Sequence, residues 1–274
     1  MKILVSGSQG FVGRHLIERL KQLGFEVVGF DILSGQDIRD YDALKSASEA
    51  CEVIVHLAAV DNDNPVEIMD TNIIGTLNVL NVLSESSIKK MIFMSSVDAL
   101  GIFQGEDKPK YLPIDDAYPC HPTRPYSLSK YVNEQMCKYY HSLSGKPILC
   151  LRAPGIWSEQ TYKDILSNRQ ERPSYEWSPY WEYGAFIDVR DLVSAIVLAI
   201  KTKFSGFFCH LISSDDVTSS GKTSKELVDF LHPGIKWMGD DSFSTNPYRT
   251  LLDTQPLKHL LDWNPEYSWK KYIG

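Results

Sequence analysis

Tyr126 and Lys130 stand four residues apart in the stretch Pro125-Tyr126-Ser-Leu-Ser-Lys130. On a helix that spacing puts them on one face, with roughly 5–6 Å between Cβ atoms. A free tyrosine titrates near about 10 and is a poor base at neutral pH. A neighbouring ammonium favours the phenolate and lowers that value. Ser96, which ends the run Met94-Ser-Ser96, can hold a substrate oxygen beside the phenol. Together these groups make a proton-transfer site for a carbinol/carbonyl pair, lacking only a hydride acceptor. The spacing alone decides nothing, because Tyr41/Lys45 and Tyr267/Lys271 repeat it. What sets Tyr126 apart is what precedes it: a strand ending in paired serines and, at the start of the chain, a glycine-rich loop.

The elements that must position these groups read as alternating strands and helices. Residues 2–6 are a short apolar run leading into Gly7-Ser-Gln-Gly10-Phe11-Val12-Gly13. Phe11, Val12, Leu16, Ile17 and Leu20 then recur with helical period until Gly24. Strand, glycine loop and helix in that order bring backbone N–H groups and a helix N-terminus against a pyrophosphate. The G-x-x-G-x-x-G spacing is a variant of the dinucleotide fingerprint. A second strand over 25–30 ends at Asp31, 18 residues beyond Gly13, where an acid accepts from the adenosine ribose 2′-hydroxyl. A carboxylate there repels a 2′-phosphate, so NAD is expected over NADP. Asp37 and Ile38 can flank the adenine, and Asp40 reads as a helix cap.

The third strand, 52–57, runs through Leu57 into Ala58-Ala59, small residues beside which a cofactor can pass. His56 within it reads as a core histidine with no chemistry. A polar loop from Asp61 precedes a helix starting at Pro65, in which Asn72 demands a reason, because its amide competes with the backbone. Further strands are expected over 91–96, 146–152 and 207–212, with helices over 126–143 and 192–200. This alternation predicts an α/β fold with a parallel, doubly wound sheet. Residues 101–125 read as a loop bordering the site. Residues 157–183 are expected to be irregular. Their aromatic residues, Trp157, Tyr162, Tyr175, Trp177, Tyr180, Trp181 and Tyr183, floor a sugar site or pack a small lobe.

Composition narrows the classes. A chain of 274 residues with 43% hydrophobic and 23% charged residues is that of an ordinary soluble globular protein. A net charge of −7 argues against a phosphate-binding surface for nucleic acid. The opening apolar run is too short for a signal peptide, and no stretch nears the ~20 apolar residues of a membrane span. Five scattered cysteines fit reduced thiols in a cytoplasm, and seven histidines without ligand spacing predict no metal.

The motifs continue with His56-Leu-Ala-Ala59, Asn72-Ile-Ile-Gly75-Thr76, Phe93-Met-Ser-Ser96, Leu151-Arg152-Ala-Pro154, Phe186-Ile-Asp188-Val-Arg-Asp191 and Leu261-Asp-Trp263-Asn-Pro265. In this order, across nearly the whole chain, they resemble the extended short-chain dehydrogenases/reductases of the NAD-dependent epimerase/dehydratase group. The resemblance implies a single Rossmann-type unit over 1–274. Its NAD-binding core would span about 1–152 plus 186–212, and a small C-terminal substrate lobe about 153–185 and 213–274. It implies Ser96, Tyr126 and Lys130 as catalytic residues, with Lys130 also holding the nicotinamide ribose. Cofactor contacts are expected from Gly7, Gly10, Phe11, Val12, Gly13, Asp31, Asp37, Ile38, Leu57, Ala58, Ala59, Asn72, Ser95, Tyr126 and Lys130. Substrate contacts are expected from Asp61, Ser96, Val97, Asp98, Arg152 and Trp157, and a homodimer through the helices over 65–87 and 126–143.

The departures bear on substrate. Where nucleotide-sugar members continue to Val-Tyr-Gly, this chain reads Val97-Asp98-Ala-Leu100-Gly101. Only about 33 residues separate Arg152 from Phe186, and the Gly-x-Gly-x-x-Arg-Asp-Phe run of diphosphate-binding members is missing. The family resemblance implies a sugar or nucleotide sugar, epimerised with NAD recycled, while the short lobe favours a smaller substrate. The alternative is a free-sugar or uronate dehydrogenase that releases NADH. A dehydratase needs a further acid–base pair, and Asp98, between Val97 and Ala99, has no partner for one. A non-catalytic NAD sensor is expected to have lost the tyrosine or the lysine, and both are present.

Overall fold

The computed structural model describes residues 1–171, 183–218 and 221–271. The chain begins with β1 (Lys2–Ser6), α1 (Phe11–Gln22), β2 (Glu26–Phe30), α2 (Tyr41–Ala47) and β3 (Val53–His56). Next come α3 (Pro65–Ile68), a π-helical turn (Met69–Ile74), α4 (Gly75–Glu85), β4 (Lys90–Ser96), the short β5 (Tyr111–Leu112) and α5 (Pro125–Ser144). They are followed by β6 (Ile148–Ala153), β7 (Ile156–Trp157), α6 (Glu159–Glu171), β8 (Ile187–Asp188), α7 (Val189–Lys201) and β9 (Phe207–Leu211). The C-terminal part adds α8 (Ser224–Leu231), β10 (Lys236–Trp237), α9 (Ser242–Thr245) and α10 (Gln255–Leu261).

The central sheet is parallel throughout, in the order β2-β1-β3-β4-β6-β9. From β1 the chain winds one way to β2 and the other way to β3, so a crevice opens between the carboxyl ends of β1 and β3. Open α/β sheets bind ligands at such a switch point. Successive side chains point to opposite faces of a strand. Accordingly Ile3 and Val5 enter one apolar cluster with α1, α7 and α10, while Leu4 enters another with α2, α4 and α5. Val53/Val55 against Ile54, and Ile92/Met94 against Met91/Phe93, divide in the same way. Burial on both faces is why these strands read as unbroken apolar runs rather than alternating ones.

A smaller apolar cluster underlies the substrate side. It joins Val97, Leu100, Ile102, Phe103, Leu112 and Ile114 to Tyr183, Leu211, Val217, Leu227 and Leu252. A short parallel ladder of β5 with β10 brings Leu112 and Trp237 to it, while β7 pairs with β8 outside it. The expectation of irregular chain over 157–183 is corrected at 159–171, which is the helix α6. Tyr162, Ile165 and Leu166 recur at i, i+3 and i+4 and meet Trp157, Phe186 and Trp269. The aromatic content drew the reading away from that period. Tyr175, Trp177, Tyr180 and Trp181 lie outside the described residues.

Helix α5 is fastened to the sheet by a buried polar network. Glu134 accepts from Arg152 Nε and Nη2 of β6 at 2.9 and 2.8 Å and from Ser95 Oγ of β4 at 2.6 Å. Arg152 also donates to the Asp116 carbonyl. Both members of the ion pair are almost entirely buried, where removing one partner strands the other charge and costs about 3–5 kcal/mol. Glu134→Gln is expected to lower stability by that order in chemical denaturation; a change below about 1 kcal/mol would mean that the pair does not fasten α5.

Candidate active site

The crevice between β1 and β3 opens into a cavity of about 320 Å³. Of the expected cofactor residues, Gly7, Gly10, Asp31, Asp37, Ile38, Leu57, Ala58 and Ala59 line it. The glycine loop must be tight here. Gly7 has φ +70°, and a Cβ on it would stand 2.7 Å from Ala58 N; one on Gly13 would stand 2.1 Å from Gly7 O. Gly10 precedes α1 with no side-chain cap, and the first turn holds no acid. The orphan N–H groups at Phe11, Val12 and Gly13 therefore keep the positive end of the helix open to an anion. Asp31 lies almost buried on the cavity floor and accepts from Gln9 N at 2.8 Å and Leu33 N at 2.9 Å. Asp37 forks onto Arg39, whose other arm takes Asp70 at 2.6 Å; with these partners Arg39 does not stand free for a further phosphate.

An adjoining cavity of about 260 Å³ gathers expected catalytic and substrate residues: Ser96, Tyr126, Asp61 and Asp98 line it, with Met94, Ser95, Gln104 and Ala153–Ile156. Tyr126 lies in the first turn of α5 and Lys130 one turn later, its Nζ 5.5 Å from the Tyr126 ring centroid. Lys130 is 3% exposed and donates to the Met94 carbonyl at the end of β4 at 2.8 Å. Burial pulls its ammonium down, the charges of Glu134, Asp61 and Asp98 pull it part of the way back, and the balance lies at about 8, so most molecules keep it charged at neutral pH. Ser96 ends β4, and its Oγ accepts from Asp98 N, capping the short turn over 97–100.

Other expected site residues have their side chains engaged elsewhere. Ser95 lines this cavity, yet its hydroxyl, on the opposite face of β4 from Ser96, is spent on Glu134. Arg152 is engaged by Glu134 and does not line the reacting cavity. Trp157 is buried against Phe186 and Tyr162, ring centroids 4.8 and 5.4 Å away. Val97 is packed into the lobe's apolar cluster. The Asn72 side chain does not line the cofactor cavity. It lies in the π-helical turn, whose extra residue swings the amide inward: it clamps Val60 N and O at 2.8 and 2.9 Å and donates to Ser129 Oγ at 3.0 Å. Ser129 in turn donates to the Tyr126 carbonyl at 2.7 Å. Asn72 thus braces both the cofactor wall and the tyrosine-bearing turn, which is the reason a mid-helix asparagine demanded.

Two positioning groups escaped the sequence reading. Arg124 gives α5 no side-chain cap. Glu106, from the loop ahead of it, accepts instead from Thr123 Oγ1 and Arg124 N at 3.0 Å each and from Ser127 Oγ. Gln104, with φ +56°, lines the reacting cavity from the same loop. Only their place in a loop judged to border the site pointed to them. His56 is the core histidine the sequence suggested: it pairs with Ser6 and Thr76, and burial lowers it to about 3, which leaves it neutral.

A family model described as the NAD dependent epimerase/dehydratase family matches residues 3–207. The chain belongs to that family. A putative UDP-glucose 4-epimerase of Methanocaldococcus jannaschii is 29% identical over 308 residues, covering 99% of this chain and 95% of the relative. A UDP-glucose 4-epimerase of Rhizobium meliloti is 26% identical, covering 97% and 93%. Other UDP-glucose 4-epimerases match over about half of their own length. Among solved structures, the UDP-glucose 4-epimerase of Thermotoga maritima with UDP-glucose has a TM-score of 0.72 at 24% identity, covering 99% of this chain and 96% of that one. A UDP-glucuronic acid 4-epimerase of Bacillus cereus with NAD has a TM-score of 0.71 at 22% identity, covering 98% and 95%. At such identities these solved structures speak for the Rossmann-type fold.

As a member of the NAD-dependent epimerase/dehydratase family the protein is an enzyme that uses NAD, and the switch-point cavity fits that cofactor. The glycine loop and the uncapped start of α1 suit a pyrophosphate, and Asp31 suits an unphosphorylated ribose. Asp31→Ala is expected to lower the NAD-over-NADP affinity ratio by about tenfold or more, near 1.4 kcal/mol. Titrating both dinucleotides against wild type and variant checks this, and an unchanged ratio would move the ribose contact to another residue.

Proposed function

We propose that this protein interconverts epimers of a sugar, preferably a nucleotide sugar, by reversible oxidation of one carbinol with NAD recycled. The observation that carries the reading is the convergence of Ser96 and Tyr126 on one cavity, with Lys130 buried beneath the phenol and all beside the cofactor cleft. Gly7, Gly10, Gly13, Phe11 and Val12 would hold the cofactor pyrophosphate through backbone N–H groups. Asp31 would take the adenosine ribose, Asp37 and Ile38 the adenine, and Leu57–Ala59 the cofactor's flank. NAD, when bound, supplies the two-electron acceptor. Tyr126 takes the proton of the substrate hydroxyl on its phenolate oxygen and returns it. Lys130, anchored on the Met94 carbonyl, keeps a positive charge beside that oxygen. Ser96 donates its hydroxyl to the substrate oxygen and fixes its direction toward the phenol.

A free-sugar or uronate dehydrogenase that releases NADH is the second reading. It is favoured by Arg152, which is tied to Glu134 rather than open to a diphosphate, and by the modest size of the reacting cavity. Purified protein with NAD and a panel of nucleotide sugars, free aldoses and uronic acids separates the two. An isomer of equal mass without net NADH is the expected result; stoichiometric NADH from a free sugar would replace the first reading by the second. In the same assay Tyr126→Phe is expected to lose about 10²–10⁴-fold in turnover while still binding NAD; retained turnover would remove Tyr126 as the base.

The proposed assembly is a homodimer through the α3–α4 and α5 helices, on which Val66, Ile74, Leu128, Tyr139 and Leu143 stand exposed. Sedimentation should give twice the chain mass, and Leu143→Glu should shift it toward one chain; a monomeric wild type would rule the dimer out. Five free cysteines suit a reducing compartment, and a cytoplasmic location is proposed on that ground. Among the described residues no helix is long and apolar enough to cross a membrane.

A further inference from the structure

The cavity beside Tyr126 carries two carboxylates, Asp61 and Asp98, and among the described residues lining it there is no lysine or arginine. Asp98 is 5% exposed, and its Oδ1 has no hydrogen-bond partner. A buried carboxylate oxygen without a donor is costly. Arg124 and Lys130 lie close enough to favour its charged form, but neither donates a hydrogen bond to Oδ1. Arg124, at the start of α5, has a buried Nη1 that is itself unpartnered, Lys130 is bonded to Met94, and Arg152 is held by Glu134. A donor that arrives with the ligand would relieve it.

Building on the sugar-directed reading above, we propose that Asp98 is a specificity-determining residue: it accepts a hydrogen bond from a hydroxyl or ammonium group of the sugar held against Tyr126, and it turns away sugars that carry a carboxylate there. Asp61, on the same wall, adds to the repulsion. Discrimination of this kind rests on what the site refuses as much as on what it binds. The charges that face Asp98 set its range. Burial raises its carboxyl to about 6, Arg124 and Lys130 lower it, and Glu106 and Asp61 raise it. At neutral pH the group is mostly ionised and repels an anion. As the pH falls through about 6 it takes a proton, and the repulsion fades.

Calorimetric titration of the NAD-loaded protein with UDP-glucose and UDP-glucuronate, and with free glucose and glucuronate, tests this. The neutral member of each pair is expected to bind about tenfold tighter or more at neutral pH. Asp98→Asn is expected to bring the ratio below about threefold by tightening the acid form. In wild type the ratio should also narrow as the pH is lowered through about 6, and in Asp98→Asn it should not. A uronate that binds as tightly as its neutral counterpart overturns the proposal. So does an unchanged ratio in a folded, NAD-binding Asp98→Asn protein. If only the free sugars bind, and with the expected ratio, the nucleotide-sugar reading falls and the role of Asp98 stands; if no sugar binds, both fall.

Discussion

An ammonium group buried beneath the end of a strand is the constraint on which this site depends. Lys130 is 3% exposed, and a charge so placed persists only where the protein supplies hydrogen bonds and opposing charge. The Met94 carbonyl supplies the bond, and Glu134, Asp61 and Asp98 supply the charge. Each of these must stay in place for Lys130 to remain useful to the phenol one turn away. That requirement accounts for the density of fastenings on α5. Glu106 closes its N-terminus, Asn72 braces its first turn through Ser129, and the Glu134–Arg152 pair with Ser95 locks its middle to β4 and β6. The helix is held at successive turns because one misplaced turn would separate phenol and ammonium.

The cofactor side meets its demands by a different route. Its walls join the glycine loop and the Leu57–Ala59 segment leaving β3 to the chain that follows β2, over 31–39. The side chain proposed to discriminate there, Asp31, is itself oriented by two backbone N–H groups. Backbone positioned at the carboxyl ends of parallel strands is fixed by the sheet, so it needs little support from distant residues. The reacting cavity, in contrast, is enclosed by side chains from separate segments, with Asp61 after β3, Asp98 after β4, Gln104 in the following loop and Ala153–Ile156 after β6.

That contrast explains how far the sequence could be read. The strands, the glycine loop, Asp31 and the Tyr126/Lys130 helix are encoded within windows of a few residues, by apolar runs, helical spacing and glycine placement, and all were legible. Asn72 was legible as an anomaly, though its partners Val60 and Ser129 lie 12 and 57 residues away. Glu106 as the cap of a helix beginning 19 residues later was not, because capping rules look for a side chain at the helix start. Arg152 and Ser95 carried family spacing but are consumed by Glu134, a pairing that only the crossing of α5 over the sheet creates. Helix α6 was hidden because its apolar stripe rests on three residues set among polar ones.

The same division bears on what a family likeness can carry. Residues 3–207 match the family model, and that span holds the sheet up to the start of its edge strand β9, the cofactor groove and the Ser96, Tyr126 and Lys130 positions. In the proposed mechanism those parts answer to the cofactor and to proton transfer, which are indifferent to the sugar. The wall proposed to meet the sugar is built otherwise: the turn after Ser96 brings in Asp98, and the loop after it brings in Gln104. A carboxylate there would act on the substrate's charge and hydrogen-bonding groups while leaving the phenol, the ammonium and the serine untouched. Substrate preference can therefore change on this fold through one or two residues of the turn over 97–100, at little cost to the chemistry.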